Sequence, residues 1–492
     1  MSAIPLALPR TMLPSPEGTL SAGVTSQWVK VLPNNVSSLS SAETAITYTA
    51  STATQITIGS SPIQFEIPTG SPNTFCDVAK STISFRSNYR VSTASTTSPA
   101  NVDAFLQSSA HSYFQRITTF VAGNAVDDVV GLDVAMAEET AYGYDVAARD
   151  ANWNLGFLAE QPNASSQNNV QGHKIESWSA GSAAAQAIVN EYWSYEIPLM
   201  SALLGKGAKS MCPVGKLGKT QVVLYTPQLA PITIFAKSNM AGAGTKVTLQ
   251  LDQFAINLFY VTLDDKSTSL LGGMGGEFYM HGITHRVGTN TLSSSTSGAV
   301  SIQVPIRVKS CRALSTRFSE NNNTEGTSLS GVFDSKMPLA GSINYFIGSQ
   351  KRVPQTPHSL ILAPAVAFSR SLMAGFGDAY EPWKARSGIA PNTFCRYLST
   401  GTAVAASDNY DKRIIDAGST CLTNSLCNYS FAEDLRVTST STFLAGQDLT
   451  VSNTFLEMNL AKSNSVATNI AFIGRSDIIF VIMPDGTVEY RV

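Results

Sequence analysis

SPIQFEIP at 61–68 and SIQVPIRV at 301–308 are the stretches from which the fold is read. In the first, Ile63, Phe65 and Ile67 alternate with Gln64 and Glu66, and Pro68 stops the run. Strict alternation of that kind is the mark of a strand with one face buried and one face wet. The second stretch answers it, and the surroundings answer each other too. STISFRSNYRV at 81–91 is matched by a strand ending near Phe318. FQRITTFVAGN at 114–124 is matched by SINYFIGSQ at 342–350, each an apolar run stopped by glycine. Corresponding positions, Gln64 with Ile302, Gly123 with Gly348 and Leu132 with Val366, stand 238, 225 and 234 residues apart. That is close to half of the 492 residues, far longer than a solenoid unit. The pattern therefore predicts a duplicated β domain.

The rest of the chain fits this pattern. Further strands are expected at Gln55–Ile58, Tyr113–Val121, Gln221–Tyr225, Ile232–Ala236, Lys246–Leu251 and Ala255–Leu263, then at Phe431–Val437, Thr440–Leu444, Thr454–Leu460 and Asn469–Met483. The Ala-rich segment from Asp127 to about 148 predicts a helix, with Asp127 and Asp128 at its start favouring the dipole. Its counterpart is 361–380, and a second short helix is expected over 182–193. Residues 160–173 read as a polar loop. DDKSTSLLGGMGGE at 264–277 can hold no periodic element and marks a boundary. The expected division is an extended arm over 1–25, a first sandwich over 26–268 and a second over 269–492. About eight strands per half is the count of a jelly roll, although immunoglobulin-like or galactose-binding-type sandwiches share that pattern.

Composition supports an all-β chain. Hydrophobic residues are 43% and charged residues only 14%. Ser and Thr make up about a fifth, with 35 Gly and 22 Pro. Short strands joined by tight turns need these residues, whereas helical bundles need Ala, Glu, Lys and Leu in periodic runs. The net charge of −2 provides no global field for nucleic acid or an anionic membrane. The first twenty residues carry one Arg and one Glu, not a basic cluster that neutralises phosphates. Pro5, Pro9 and Pro14 break the apolar run that a signal peptide needs. No stretch approaches the ~20 apolar residues of a membrane-spanning helix. The chain reads as soluble and unexported. Its six cysteines, Cys76, Cys212, Cys311, Cys395, Cys421 and Cys427, read as structural thiols, with a Cys421–Cys427 disulfide left open. The Asn-x-Ser/Thr sites at Asn35, Asn163, Asn322 and Asn428 carry little weight without an export signal.

Motifs that suggest chemistry fail on inspection. GKLGKT at 215–220 lacks the leading glycine of a phosphate loop, because position 213 is Pro213, and a strand rather than a helix follows. Gly272–Gly276 lacks the last glycine of a dinucleotide fingerprint. His281 and His285 would share a helical face, but Gly282 and the β-branched neighbours favour a strand, and no further ligand stands nearby. His111, His173 and His358 support no triad, and no G-x-S-x-G elbow occurs. The pairs Asp127-Asp128, Glu138-Glu139 and Asp264-Asp265 read as charge pairs rather than acid/base couples. Trp153, Trp178, Trp193 and Trp383 read as loop anchors or interface residues ahead of a glycan-stacking surface. No catalytic residue, cofactor site or metal site is assigned, and no enzyme activity is expected.

Several stretches resemble the double jelly-roll major capsid proteins of the adenovirus-hexon lineage, in particular those of polinton-like viruses, adintoviruses and virophages. They are the IQFEIP strand with DVAKSTISFRSNYRV, IPLMSALLGKGAKSMCPVGK, SINYFIGSQKRVPQTP before an Ala-rich segment, and FLAGQDLTVSNTF with the terminal IIFVIMPDGTVEYRV. The similarity runs in patches from about 28 to 492, with 92–110 and 264–300 unmatched. The resemblance implies two tandem eight-stranded jelly rolls with short helical insertions. It implies a homotrimer whose six jelly rolls give a near-hexagonal footprint and tile an icosahedral shell of a double-stranded DNA virus. It also implies lateral trimer contacts, penton and minor capsid partners, no sequence-specific nucleic-acid binding, and a place in the virion after synthesis in the host cytosol. The apolar arm, with Ile4, Leu6, Leu8, Met12 and Leu13, is expected to dock on a neighbour or an inner-shell partner, the alternative being an unstructured end. The alternative is a two-domain β-sandwich that binds glycans or acts on polysaccharides.

Overall fold

A computed structural model describes residues 24–45, 54–56, 58, 62–92, 100–106, 110–143, 172–175, 188–227, 233–240, 246–265, 268, 277–320, 340–351, 430–437, 446–460 and 467–491. The strands before the Gly-rich 264–277 stretch are β1 Thr25–Val31, β2 Ser38–Ser40, β3 Thr44–Ala45, β4 Thr54–Ile56, β5 Ile63–Ile67, β6 Thr74–Cys76, β7 Thr82–Ser92, β8 Ala100–Leu106, β9 Arg116–Val121 and β10 Asn124–Val130. Helix α1, Leu132–Gly143, comes next, then β11 Gly172–Ile175, β12 Ile188–Pro198, β13 Thr220–Tyr225, β14 Thr233–Met240 and β15 Lys246–Thr262. Beyond it lie β16 Phe278–Leu292, β17 Gly298–Gln303, β18 Cys311–Glu320, β19 Ala340–Ile347 and β20 Gln350–Lys351. The chain closes with β21 Ser430–Asp434, β22 Thr454–Leu460, β23 Thr468–Ile482 and β24 Val488–Arg491.

Strand order fixes what the alternation left open. In the first half one sheet runs β1-β15-β7-β12, with β2, β3 and β6 also on β15. Opposite it runs β10-β9-β13-β5, continued by β11-β8-β14-β4 from mostly the same chain segments. In the second half the sheets are β16-β23-β18-β21, with β24 on β23, and β17-β22-β19-β20. In both halves the first chain segment pairs with the last and the third lies between the last and the sixth. The second, seventh, fourth and fifth segments form the facing sheet. That winding is a jelly roll, not an immunoglobulin-type sandwich.

Each roll is filled by the residues its alternation selects. Ile63, Phe65 and Ile67 are buried while Glu66 is exposed. In the first core the Phe85 ring lies 5.1 Å from Phe114 and 5.0 Å from Tyr195, and the Tyr89 and Tyr113 hydroxyls meet at 2.6 Å. Leu314, Phe318, Tyr345, Phe431, Leu456 and Phe472 fill the second. Burying rings of this size supplies the main favourable energy at about 25 cal/mol per Å² of apolar surface. The glycine stops also fall at turns. Ala122 (φ 50°) and Gly123 (φ 84°) turn β9 into β10, and Gly348 (φ 62°) turns β19 into β20.

Four expectations change. Asp127 and Asp128 do not open a helix: they sit in β10, which pairs with β9, and α1 begins only at Leu132, after Gly131. Val126 and Val129 face the core from β10, so burial overrides the helical reading of this segment. Ile188–Trp193 is strand, not helix, since β12 pairs with β7 without a break from Ile188 to Pro198. Its β-branched and aromatic residues suit a pleated surface. Lys246–Leu251 and Ala255–Leu263 are one strand, β15, in which the register shifts between Asp252 and Ala255 and Gln253 has φ 55°. That is a bulge, not a turn. His173, placed in the polar loop 160–173, lies in β11. The arm 1–23, the helix-like 361–380, Thr440–Leu444, Trp153, Trp178, Trp383, His358, Cys395, Cys421 and Cys427 lie outside the described residues.

Candidate functional site: the seam between the two rolls

The two rolls share a buried seam, and the candidate motifs of the sequence gather along it. The HGITH segment is the middle of β16. There the backbone of Ile283 donates to Gly207 O at 2.8 Å, and Lys209 donates to His281 O at 2.9 Å. A loop of the first roll, after β12, thus lies alongside the outermost strand of the second roll's first sheet. The approach requires glycine. A Cβ on Gly282 would stand 2.5 Å from Ala202 O, and one on Gly207 would stand 2.5 Å from Ile283 O. Gly131, with φ +73°, would put a Cβ 2.6 Å from Val287. Met280, Ile473, Ile478, Phe480 and Ile482 of the second roll join the hydrophobic core of the first.

Polar groups fix the register of this apolar contact. Asp127, 4% exposed, accepts from Ser201 Oγ at 3.1 Å and Ala202 N at 2.6 Å on one oxygen. Its other oxygen accepts from Thr284 Oγ1 of β16 at 3.0 Å. Asp128 points the opposite way, where Arg116 holds it with two bonds of 2.7 and 2.9 Å. The paired acids thus separate onto the two faces of a strand. Glu138 of α1 is buried and accepts from Ser315 Oγ of β18 and Ser430 Oγ of β21. Asp477 is fully buried in β23; it meets His281 Nε2 at 2.8 Å, accepts from Ser310 Oγ at 2.8 Å and lies 3.6 Å from an Arg312 nitrogen. His281 therefore serves a buried hydrogen-bonded cluster within the second roll.

Charge is distributed unequally across the seam. The first roll contributes Asp127, Asp133 and Glu138, and the second contributes Arg286, Arg317 and Arg475. Burial raises all three carboxyls, Asp133 from 3.8 to about 6. Hydrogen bonds to each, together with Arg286 for Asp127, Arg317 for Asp133, and Arg317 and Arg475 for Glu138, pull back against that rise.

None of this is a reactive constellation. Among the described residues no group of three or more His, Cys, Asp or Glu could hold a metal, and His285 shares its strand with His281 without completing such a set. The GKLGKT glycines serve packing. A Cβ on Gly215 would stand 1.9 Å from Ser71 O, and Gly218 N donates to Gly486 O at 2.8 Å. Strand β13 follows, so no helix terminus faces a phosphate. Cys76, Cys212 and Cys311 are buried free thiols, with Cys76 pushed up to about 11 and Cys311 to about 12 by burial; such thiols are inert. Asn35 is tied into the fold, donating to Pro62 O at 2.6 Å and accepting from Gln64 N at 2.9 Å. Trp193 packs against the first core. No described helix is long and apolar enough to cross a membrane. Sequence reasoning missed Gly207, Gly282, Ser201, Thr284 and Ser430, whose partners are distant in sequence.

Solved structures share this arrangement of two rolls. A chain of the Sputnik virophage structure matches over 100% of this chain and 93% of its own, with a TM-score of 0.57 at 11% identity. The fold is a double jelly roll. The mavirus major capsid protein matches this double jelly roll over 94% of this chain and 90% of its own, with a TM-score of 0.50 at 10% identity. A PBCV-1 protein fitted into a reconstruction of Sputnik matches over 95% and 97%, with a TM-score of 0.50 at 8% identity. No protein-family model matches the sequence, and no curated protein does.

Proposed function

We propose that this double jelly-roll protein is the major capsid protein of an icosahedral double-stranded DNA virus, a structural subunit that forms homotrimeric, near-hexagonal capsomers and resides in the virion shell. One observation carries the reading: the same eight-segment winding occurs twice, welded by a buried seam, and the pair matches a virophage chain along its whole length. Two sandwiches fixed side by side make a block with flat sheet faces. Such faces suit self-association, and obligate interfaces typically exceed about 2,000 Å². A weakly charged surface keeps repulsion low when many copies crowd together.

The chain would divide into an arm over 1–25 and rolls over 26–268 and 269–492. Its further partners would be penton and minor capsid proteins, with the apolar arm docked on a neighbour or an inner-shell protein. No residue is given a catalytic role. Negative-stain images of the purified full chain test the reading. Six-lobed particles with a hexagonal outline are expected, whereas separate two-lobed particles would refute it.

A further inference from the structure

The first roll holds two cysteines opposite one another. Cys76 of β6 and Cys212 of the β12–β13 loop form an antiparallel bridge and exchange both backbone bonds, Cys76 N to Cys212 O at 2.7 Å and Cys212 N to Cys76 O at 3.0 Å. Residues opposed in this way stand with Cα atoms about 5.5 Å apart and side chains on one face. Disulfides span about 4.4–6.8 Å between Cα atoms, so the pair lies within reach of one. Both residues are fully buried. Tyr260, the neighbour of Cys76 in β15, interacts electrostatically with both thiols.

The second roll makes the same bridge with different chemistry. Where the segment entering its third strand meets the loop before its seventh, Cys311 and Gln447 exchange backbone bonds of 2.9 and 2.8 Å. The bridge therefore does not need a thiol on both sides. The loop that carries Cys212 also carries the contact between the rolls. Lys209 donates to His281 O, and Gly207 O accepts from Ile283 N. A covalent bond at Cys212 fastens that loop from its other side.

We propose that Cys76 and Cys212 form a reversible disulfide, a redox latch that ties the β12–β13 loop and its seam contact to β6. The oxidant is a disulfide of low molecular weight, such as oxidised glutathione. The thiolate of one cysteine attacks it and expels one thiol; the second cysteine attacks the mixed disulfide at the protein sulfur and expels the other. Two protein S–H bonds and the oxidant's S–S bond are lost, and one protein S–S bond and two S–H bonds replace them. The two electrons and two protons given up by the protein reduce the oxidant. In the closed roll burial keeps both thiols protonated and unreactive, with Cys76 pushed up to about 11. The exchange therefore runs through local opening of the loop. Reversibility follows from the spacing. Opposed Cβ atoms stand about 4.5–5.5 Å apart and must close to about 3.5–4.5 Å in the disulfide. The resulting strain makes the bond easy to reduce.

The test equilibrates the purified full chain in glutathione buffers from reduced to oxidised, with and without sub-denaturing urea. Free thiols are then blocked under denaturing conditions and peptides mapped by mass. The expected result is a Cys76–Cys212 linked peptide, lighter by two hydrogens, in the oxidised buffers. It should disappear when reduced glutathione is restored, while Cys311 stays free. Linkage only in urea supports the same latch, with opening as the slow step. Both cysteines free in every buffer overturns the inference, as does a link of Cys76 to another cysteine or one that reduced glutathione cannot undo. Hydrogen exchange reads the latch itself. The amides of Lys209 and Cys212 should exchange more slowly in the linked form than in the reduced form, and equal rates overturn it. Cys212→Ser should abolish the linked peptide; if that variant does not fold, the wild-type map decides. The capsid reading stands or falls separately, on the particle images.

Discussion

The outer sheets of the two rolls have the same strand order but different surfaces. The covered sheet presents small hydroxyls and arginines, Ser315, Ser430, Arg317 and Arg475, to the carboxyls of the first roll. The open sheet presents Trp28 and Tyr192. A contact made once at folding, within one chain, tolerates buried polar groups where partners are built beside them, as Ser315 and Ser430 are beside Glu138. The open sheet carries amphipathic aromatics beside cations instead, with Lys80 over Phe259 and Arg86 over Tyr192. The two rolls share one strand winding but differ in what their outer sheets meet.

The largest expected effect breaks the covered contact. Gly282→Val drives a side chain into the Ala202 carbonyl, which belongs to the backbone and cannot swing away. A loss of about 3 kcal/mol or more is expected from the urea midpoint. On β1, the corresponding strand of the open sheet, exposed Ser26→Val should change stability by no more than about 0.5 kcal/mol. Equal effects would mean that the two sheets are not differently covered.

Asp127→Ala comes next. It strips the acceptor from Ser201, Ala202 and Thr284 in a buried site. A cost of about 2–3 kcal/mol is expected in equilibrium unfolding. A cost near zero would show that the seam is wet.

Acidity separates the two regions as well. The folded protein holds the Asp133 carboxyl at about 6 against 3.8 for an ordinary one. The folded state therefore binds a proton that the unfolded state releases between these values. The resulting stabilisation is fully present below about pH 4 and is lost as pH rises through about 6. Burial raises Asp127 and Glu138 in the same direction. Unfolding midpoints from pH 5 to 8 should fall with rising pH, by an amount on the order of 1–3 kcal/mol. Asp133→Asn should flatten the profile and stabilise the protein at pH 8; an unchanged slope would remove Asp133 from the account.

The smallest effect is at the open sheet. Tyr192→Ala gives up one exposed cation–π contact, a cost of about 0.5–1 kcal/mol in the isolated chain. A larger loss would mean that this face is already structural within one copy.

The alternation of Ile63, Phe65 and Ile67 was enough to read a strand, and its echo at 301–308 pointed to a second roll although β17 ends at Gln303; the turns at Gly123 and Gly348 were legible as well. Those signals are local, arising from a period of two and from glycine's left-handed freedom. Strand order was not local, and it took the pairing of β1 with β15 and of β16 with β23 to exclude other sandwiches. The acids at 127 and 128 were misread for a related reason. Their partners include Thr284, 157 residues away, and without it an acid pair before an Ala-rich run resembles a helix start. Val126 and Val129, three apart, suit a helix as well as this strand. Gly207 and Gly282 were legible only as glycines, because what makes them necessary is the backbone of the other roll.

The most direct test is the mass of the purified full chain by light scattering. The account predicts a trimer of three 52.3 kDa copies, about 157 kDa. A stable monomer at 52.3 kDa across micromolar concentrations would contradict it.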